Sequence, residues 1–332
     1  MLNDKSILVT GGTGSFGNAF VRMTLAKYNP KRLVIFSRDE MKQWEMAKKF
    51  AQDERVRFFI GDVRDKERLN RALAGVDIVV HAAATKIVPT AEYNPFEAVK
   101  TNITGAMNVI DAAIDNGIEK VVALSTDKAS SPANLYGATK FVSDRLFIAG
   151  NNYSRANEAC FSVVRYGNVM GSRGSVIPFF DMIDADKPLP ITDSNMTRFM
   201  ITLEQGVEMV WHALEDMVGG ETYVRKSPSM NIMDIAQAVR KDFEHVVVGI
   251  RPGEKLHEQM ISTEDAPYTY EYSKYFKILP SIHDWHLDPD RIKDGKLVSP
   301  DFDYTSGENT QWMEVDVLRE WIQKNLGSME KI

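Results

Sequence analysis

Two pairs of polar residues near the middle of the chain could carry out acid and base chemistry. Tyr136 and Lys140 stand four residues apart, a spacing that places both side chains on one face of a helix. An ammonium group so placed is expected to lower the pKa of the phenol and prepare it to take a proton from a hydroxyl group. The spacing is common by chance, but here it follows the apolar run 121–124 and lies downstream of a glycine-rich segment. We therefore predict hydride chemistry, with Tyr136 as the base.

Asp127 and Lys128 precede this pair, at the end of the same apolar run. With Thr126 beside them, a carboxylic acid and an amine would form a second proton-transfer set, which a simple dehydrogenase does not need. The combination favours elimination of water. The alternative is structural, because Thr-Asp at the end of a strand is ordinary turn chemistry and a lysine there could be solvated.

Glycines at positions 11, 14 and 17 follow the first apolar run of the chain. Glycine is needed there because the turn is tight, the backbone must approach a pyrophosphate, and the first N–H groups of a helix must point at that anion. A glycine triplet alone is weak evidence, but one between a first strand and a first helix is strong. The residues predicted to bind a dinucleotide here are Gly11, Thr13, Gly14, Ser15, Phe16 and Gly17.

The end of the second apolar run predicts which dinucleotide is bound. A site that prefers NAD usually carries Asp or Glu there to hold the ribose diol, whereas this chain has Ser37 and Arg38, with Lys42 one helical turn further on. These side chains could bind a 2′-phosphate, and we therefore predict NADP. The alternative is that Arg38 pairs with Asp39 or Glu40 on the surface.

The ends of the third and fourth apolar runs complete the predicted cofactor site. Asp62 and Val63 are expected to meet the adenine. Ala82 and Ala83 are small enough to let the nicotinamide ribose lie close.

Short apolar runs separated by stretches of helical period must position these side chains. This repeated βαβ pattern predicts an α/β fold with a doubly wound parallel sheet of the Rossmann type, covered on both faces, with ligands at the carboxyl ends of its strands. The predicted strands are 7–10, 32–36, 57–60, 77–81, 120–125 and 161–165.

The alternation fades after residue 165 into loops rich in Gly, Pro, Asp and Ser. We predict an NADP-binding Rossmann domain over 1–165 and a smaller, mixed substrate-binding portion over 166–332. The two are expected to be interleaved, because 202–215 has the pattern of a helix that could pack back on the sheet.

Composition and charge exclude several classes of function. The net charge of −6 provides no overall basic field for nucleic acid or an anionic membrane. Cys160 is the only cysteine and the six histidines show no ligand spacing, so no disulfide and no metal site are predicted. The chain runs from Met1 into a strand without a charged and apolar leader, and no apolar run approaches the length of a membrane span. We expect a cytoplasmic enzyme.

Seven motifs support a more specific prediction. They are Gly-Gly-Thr-Gly-Ser-Phe-Gly (11–17), Phe-Ile-Gly-Asp-Val-Arg-Asp (59–65), Ser-Thr-Asp-Lys-Ala (125–129), Asn-Leu-Tyr-Gly-Ala-Thr-Lys (134–140), Val-Arg-Tyr-Gly-Asn-Val (164–169), Gly-Ser-Arg-Gly-Ser-Val-Ile-Pro-Phe-Phe (171–180) and Arg-Pro-Gly-Glu-Lys-Leu-His-Glu (251–258). In this order they resemble the extended short-chain dehydrogenase/reductases and, within them, the inverting UDP-N-acetylglucosamine 4,6-dehydratases that open pseudaminic acid biosynthesis. The resemblance covers the chain from about Ser6 to Trp312.

The resemblance implies a redox-neutral cycle on a UDP-sugar. Tyr136 would take the proton of the C4 hydroxyl while NADP+ takes the C4 hydride, and the hydride would later return to C6. Lys128 would take the C5 proton, and Asp127 would protonate the departing C6 hydroxyl. Retaining 4,6-dehydratases usually have Asp-Glu where this chain has Asp127-Lys128, so the lysine favours inversion at C5.

The resemblance also implies binding residues. Lys86 matches a lysine near the nicotinamide and the sugar, although it could instead be a solvated loop residue, and Asn102 is expected at the cofactor. Glu254 could accept a hydrogen bond from the uridine ribose or could instead pair with Lys255 or Arg251. The residues expected to hold the UDP-sugar are Lys86, Asn168, Arg173, Thr192, Arg198, Arg251 and Glu254.

Other functions on this scaffold remain open from the sequence. A UDP-sugar C4 epimerase would need only Tyr136 and Lys140, so Asp127 and Lys128 argue against it. The inverting dehydratase of a UDP-N-acetylfucosamine pathway would share all four residues. A silent nucleotide-sensing protein would keep the glycines but could lose Tyr136 or Lys140. Proteins of the resembled family commonly form dimers or hexamers, and we expect a homo-oligomer.

Overall fold

The structure, a computed structural model, describes residues 1–154 and 159–325. Its strands in chain order are β1 (Ser6–Thr10), β2 (Arg32–Ser37), β3 (Val56–Ile60), β4 (Ile78–His81), β5 (Lys120–Thr126), β6 (Cys160–Tyr166), β7 (Asn168–Val169), β8 (Leu189–Ile191), β9 (Thr197–Ile201), β10 (Thr222–Arg225), β11 (Ser229–Asn231), β12 (His245–Val247), β13 (Gln259–Ile261), β14 (Thr269–Glu271), β15 (Tyr275–Ile278), β16 (Lys296–Leu297) and β17 (Tyr304–Thr305).

Helices connect most of these strands. They are α1 (Ser15–Lys27), α2 (Glu40–Lys49), α3 (Lys66–Leu73), α4 (Val88–Tyr93), α5 (Pro95–Val99), α6 (Gly105–Asp115), α7 (Leu135–Gly150), α8 (Val176–Asp181), α9 (Leu203–Asp216), α10 (Ile232–Val239), α11 (Pro289–Ile292) and α12 (Val315–Asn325). A π-helical turn joins α5 to α6, and the tight turns are 3-10 helices at Asp127–Ala129, Ala266–Tyr268 and Ile282–Leu287.

One ten-stranded sheet organises the described residues, in the order β16-β14-β15-β10-β6-β5-β4-β1-β2-β3. The strands from β10 to β3 in this order are parallel. The other three add antiparallel pairs beyond β10. Successive strands are added in one direction from β1 to β3 and in the opposite direction from β4 to β6. The sheet therefore changes direction between β1 and β4, which is where a doubly wound sheet opens a crevice for a ligand.

The sheet is buried on both faces because its strands are continuous apolar runs. Successive residues of a strand point to opposite faces. Ile7 and Val9 pack into one layer with Phe20 of α1 and Val210 of α9, whereas Leu8 packs into the other layer, which contains α3 and α6. Both layers hold the ends of β1, β4 and β5 in fixed register.

A smaller portion covers the carboxyl edge of the sheet. It contains a three-stranded sheet, β11-β9-β7, and the two-stranded pairs β12-β8 and β13-β17. Its own core packs α8, α10 and α12 around Ile191 and Met230. The loops of this portion therefore face the ends of the parallel strands.

The predicted doubly wound parallel sheet is confirmed. The antiparallel strands β14, β15 and β16 were not predicted from the sequence, since they are two to four residues long. The helix expected at 202–215 is α9, and it packs against α1 and β6. The division of the chain at residue 165 stays a prediction, although β10, from the later part, pairs with β6.

Candidate active site

One cavity of about 830 Å³ lies at the carboxyl ends of the parallel strands. The sequence-predicted site residues line it, with the exception of Asn102 and Thr192. The structure therefore brings the glycine segment, the two proton-transfer pairs and the predicted sugar-binding arginines to one place. Their individual roles remain predictions.

The glycine segment forms the turn from β1 into α1. Gly11 has φ 63°, and a Cβ there would lie 2.8 Å from the Cα of Ala83, so a side chain would collide with the loop after β4. The N–H of Gly14 donates to the carbonyl oxygen of Gly11 at 3.0 Å, and α1 begins at the next residue. This tight turn, with the free N–H groups of a helix start behind it, fits a pyrophosphate.

The end of β2 lies beside this turn. The hydroxyls of Ser37 and Thr13 share a hydrogen bond of 2.8 Å. The sequence left open a surface ion pair of Arg38 with Asp39 or Glu40. Arg38 pairs with neither of them. Its Nη1 lies 3.6 Å from Oδ2 of Asp62, and its side chain is 59% exposed. The guanidinium is therefore at the cavity and open to an anionic ligand.

The two residues Asp127 and Lys128 begin a 3-10 turn at the end of β5. Thr126 caps the turn: its hydroxyl accepts from the N–H of Lys128 at 3.3 Å and donates to Oδ1 of Asp127 at 3.0 Å. Nζ of Lys128 lies 3.1 Å from Oδ1 of Asp127 and 3.2 Å from Oε1 of Glu258. Asp127 is buried, and the side chain of Lys128 is only 23% exposed. Neither Asp127 nor Lys128 is therefore a solvated surface group, which was the structural alternative that the sequence left open.

Helix α7 packs directly on this turn. Asn134 caps the helix by accepting a hydrogen bond from the N–H of Gly137 at 2.8 Å. A Cβ on Gly137 would lie 2.1 Å from the carbonyl oxygen of Lys128, so only glycine permits this approach. Tyr136 and Lys140 are thereby held against the same turn that carries Asp127.

Burial and charge set the protonation of the turn. Burial raises the pKa of Asp127, which Lys128 opposes only in part. Burial alone would lower the pKa of Lys128, but the carboxylates of Asp127 and Glu258 raise it above its ordinary value. Burial works against ionisation of Glu258, yet the charges of Lys128 and Arg198 hold its pKa below the usual range. Asp127 is thus poised to hold a proton, and Glu258 to lose one.

The phenol of Tyr136 differs from its sequence expectation. Burial raises its pKa to about 12, and the charge of Lys128 and a hydrogen bond with Thr126 oppose that rise. Lys140 is itself buried, and its own pKa is lowered by burial. The expected lowering of the phenol's pKa by Lys140 is therefore wrong for this arrangement: the nearby cation is Lys128.

The predicted substrate residues that line the cavity come from both portions of the chain: Lys86 lies in the loop after β4, and the others lie on strands and loops of the smaller portion. Nζ of Lys86 donates to the carbonyl oxygen of Arg173 at 3.1 Å and so joins two sides of the cavity. Nη1 of Arg251 lies 4.0 Å from Oε1 of Glu254, so the ion-pair alternative for Glu254 stays open. Lys255 does not pair with Glu254 but donates to the carbonyl oxygen of Ser130 at 2.8 Å.

Two predicted residues lie outside the cavity lining. The amide of Asn102 is buried and bridges the backbone of Thr85 to the hydroxyl of Thr139 at 2.8–2.9 Å. It therefore supports α7 and the loop after β4 from behind. Thr192 follows β8 and is not among the residues that line the cavity.

Two buried carboxylates near the cavity were missed by the sequence argument. Glu258 contacts Lys128 as described above. Asp144, one helical turn after Lys140 on α7, accepts from the hydroxyl of Ser125 at 2.5 Å and lies 3.5 Å from Nη2 of Arg165. The four-residue spacing of Lys140 and Asp144 could have indicated Asp144 from the sequence. No local pattern indicates Glu258.

The described residues contain neither a metal cluster nor a membrane-spanning helix. Across 1–154 and 159–325, no group of three or more His, Cys, Asp or Glu side chains is placed to hold a metal ion. Over the same ranges, none of the helices has the length and apolar character needed to cross a bilayer.

Comparison with known proteins agrees with this geometry. The model of a family described as polysaccharide biosynthesis protein matches residues 7–280. The chain is 52% identical to a UDP-N-acetylglucosamine 4,6-dehydratase (inverting) of Campylobacter jejuni, over 98% of this chain and 100% of that one. It is 41% identical to a UDP-glucose 4-epimerase of Rickettsia canadensis, over 96% of each.

Solved structures show the same architecture. Pen from Bacillus thuringiensis is similar with a TM-score of 0.89 and 35% identity, over 98% of this chain and 99% of that one. The dTDP-glucose 4,6-dehydratase DesIV from Streptomyces venezuelae, solved with NAD and TYD bound, has a TM-score of 0.72 at 24% identity, over 98% and 99%. The second likeness is one of fold.

Proposed function

The chain belongs to the polysaccharide biosynthesis protein family, among the extended short-chain dehydrogenase/reductases, and we propose that it is an inverting UDP-N-acetylglucosamine 4,6-dehydratase. Its product would be UDP-2-acetamido-2,6-dideoxy-β-L-arabino-hexos-4-ulose. The observation that carries the proposal is the contact of Lys128 with Asp127 in the cavity that Tyr136 also lines. The 52% identity to a dehydratase over the full chain supports the same conclusion.

Each residue of this set has a separate task in the reaction. A bound nicotinamide cofactor would supply the hydride chemistry, which is uptake of hydride from C4 and its return to C6. Tyr136 takes the proton of the C4 hydroxyl, and the resulting ketone makes the C5 proton acidic. Lys128 takes that proton in its neutral form. Asp127 gives its proton to the C6 hydroxyl, which leaves as water, so the net reaction is that of a lyase.

The cofactor is proposed to be NADP. Support comes from the end of β2, where Ser37 and the exposed guanidinium of Arg38 stand at the cavity, in the place where a site that prefers NAD usually carries Asp or Glu to hold the ribose diol. A guanidinium suits a 2′-phosphate because it forms paired, charge-assisted hydrogen bonds. Lys42 also lines the cavity and adds a second positive charge.

A C4 epimerase is the second candidate, and the Rickettsia relative gives it a specific basis. Epimerisation requires only that hydride leaves C4 and returns to the other face. It uses neither a proton donor for C6 nor a base for C5. The buried pair Asp127 and Lys128 therefore favours dehydration.

Three further proposals concern the cellular location, the oligomeric state and the class of ligand. We place the reaction in the cytoplasm, at the start of pseudaminic acid biosynthesis, because that is where the resembled enzymes act. A homo-oligomer, either dimer or hexamer, is supported by the aromatic side chains of Tyr93 and Phe96, which are 89% and 78% exposed at α4 and α5. The partner of the active site is a small sugar nucleotide, not a nucleic acid or a membrane.

Incubation of the purified protein with UDP-N-acetylglucosamine in D2O tests the proposal. The expected product, without added reductant, is the 4-keto-6-deoxy sugar nucleotide with deuterium at C5 and inverted configuration, read by NMR. Retention at C5 would contradict inversion. A product that differs only at C4 would instead establish an epimerase.

A further inference from the structure

Glu258 is the one carboxylate in contact with Lys128, apart from Asp127, among the described residues. Its Oε1 lies 3.2 Å from Nζ of Lys128 and 3.7 Å from Nε of Arg198. The side chain of Glu258 is 3% exposed, and its Oε2 has no hydrogen-bond partner in the described part of the chain. A buried carboxylate without full hydrogen bonding is costly, so its presence here calls for a role.

The backbone of Glu258 is fixed by a separate part of the chain. Its N–H donates to the hydroxyl of Ser306 at 2.9 Å, and its carbonyl oxygen accepts from the N–H of Ser306 at 2.8 Å. Residue 258 directly precedes β13, which pairs with β17. The carboxylate is therefore delivered to Lys128 from a rigid strand end.

The residues on both sides of Glu258 are also attached to the segment that follows the Lys128 turn. The amide of Asn134 donates to the carbonyl oxygen of Gly253 at 2.8 Å, and Nζ of Lys255 donates to that of Ser130 at 2.8 Å. The hydroxyl of Ser131 donates to Oε1 of Gln259 at 2.7 Å. These contacts hold the two segments together, so the backbone at Glu258 cannot move away from the turn without breaking them.

Two carboxylates on one ammonium have a direct chemical consequence. The amine must lose its proton before it can act as a base, and each nearby anion makes that loss harder. The charged groups that face Glu258 are Lys128 and Asp127 on the turn, Arg198 on β9 and Lys255 on its own segment. Of these, Lys128 makes the shortest contact.

We propose that Glu258 is a positioning residue for Lys128: it fixes Nζ beside Asp127 and sets the pH at which the lysine can exchange a proton. The role in turnover rests on the proposed dehydratase function, whereas the effect on the lysine itself does not. Glu258 also ties Lys128 to Arg198, so the proton-transfer group and a predicted substrate-binding arginine share one carboxylate.

Trace acetylation of the full-length protein by acetic anhydride tests the effect on the lysine without any substrate. Only the neutral amine reacts, so the labelling rate of Lys128 at a pH below its pKa reports the neutral fraction, which peptide mass spectrometry can follow from pH 7 to 10. In Glu258→Gln, which keeps the shape and removes the charge, labelling of Lys128 should rise by about tenfold or more at each pH. Glu258→Asp, which keeps the charge, should stay close to the wild type.

Another lysine–glutamate pair elsewhere in the chain provides the control. Nζ of Lys226 lies 2.6 Å from Oε1 of Glu271, and the lysine is 18% exposed, close to the 23% of Lys128. Glu271→Gln should leave the labelling of Lys128 unchanged. Equal labelling of Lys128 in wild type and Glu258→Gln would overturn the inference. So would an equal rise in the Gln and Asp variants, since packing would then be the cause.

Turnover gives a second and separable result. If Lys128 is the C5 base, the acidic limb of the kcat profile should move to lower pH in Glu258→Gln by the shift that labelling reports. An unmoved limb, with wild-type dehydration intact, would overturn the role in turnover. Absence of dehydration in the wild type would instead reject the proposed function, and the labelling result would still decide the effect of Glu258 on Lys128.

Discussion

The carbonyl oxygen of Lys128 occupies the place that a side chain on Gly137 would need, 2.1 Å from the position of its Cβ. Helix α7, which carries Tyr136, therefore touches the backbone of the turn that carries Asp127 and Lys128. The oxidation half and the elimination half of the proposed reaction meet at this contact.

Gly137→Ala tests that contact. The added methyl group must push α7 from the turn, which we expect to cost about 1–3 kcal/mol of unfolding free energy and to reduce turnover more than stability alone explains. Gly206→Ala on α9 is the matched control, because its Cβ would meet only a ring carbon of Tyr166 at 3.9 Å. That variant should be neutral or slightly more stable. Urea denaturation of both variants measures the change in unfolding free energy. Equal changes would mean that the contact between α7 and the turn can accept a methyl group.

Lys128→Ala should separate the two half-reactions. Tyr136, Lys140 and the cofactor residues are unchanged, so the variant should still oxidise C4, but more slowly, because the charge of Lys128 that opposes the high pKa of Tyr136 is lost. The C5 proton has no base, so the cycle should stall after this first step. Rapid mixing should then show reduced nicotinamide on the enzyme with little dehydrated product. Hydride could return to C4 and keep that signal small, so C5 exchange in D2O is followed in parallel. Normal exchange in the variant would make Lys86 the next candidate for the base.

Tyr136→Phe removes only the phenolic hydroxyl. Nucleotide binding should be nearly unchanged, while turnover should fall by about 10²- to 10⁴-fold, the usual contribution of a positioned base. Isothermal titration and the NMR product assay measure the two quantities. A variant that kept more than half of the wild-type turnover would exclude Tyr136 as the base.

Arg38→Ala should weaken NADP binding by about 1.5–3 kcal/mol and affect NAD far less. Arg64→Ala is the control, since Nη2 of Arg64 also binds Asp62, at 2.7 Å, but Arg64 is not among the residues that line the cavity. Titration of each variant with both cofactors gives the comparison. The 2′-phosphate assignment fails if Arg38→Ala weakens both cofactors to the same extent.

His81 should make the fold sensitive to mild acid. Its ring is 1% exposed and shares a 2.8 Å hydrogen bond with Thr10. Burial and the nearby charge of Lys140 lower its pKa from 6.5 to about 3. Below pH 6.5 the unfolded chain therefore binds a proton that the folded chain does not, and stability falls by up to about 1.4 kcal/mol per pH unit. His81→Asn should flatten the dependence of unfolding free energy on pH between 7 and 5, and parallel curves would contradict this.

The parts of the site that follow local rules were predictable from sequence. The turn at Gly11 and the strand end at Ser37 depend on residues close together in the chain, so their patterns indicate their place. Glu258 meets Lys128 only because β13 pairs with β17 far along the chain, and no short pattern encodes that meeting. The raised pKa of Tyr136 likewise depends on how deeply the ring is buried, which spacing on a helix does not determine.

The parallel pairing of β10 with β6 has a consequence for how the chain is made. A nascent chain that ends near residue 165 already contains β1 to β6, but the outer edge of β6 has no partner until Thr222–Arg225 has been synthesised. Unpaired N–H and C=O groups along an apolar strand readily pair with other chains. The growing polypeptide is therefore most prone to aggregate while residues 166–225 are being synthesised. A fragment that ends at residue 165 would keep the unpaired edge of β6 permanently.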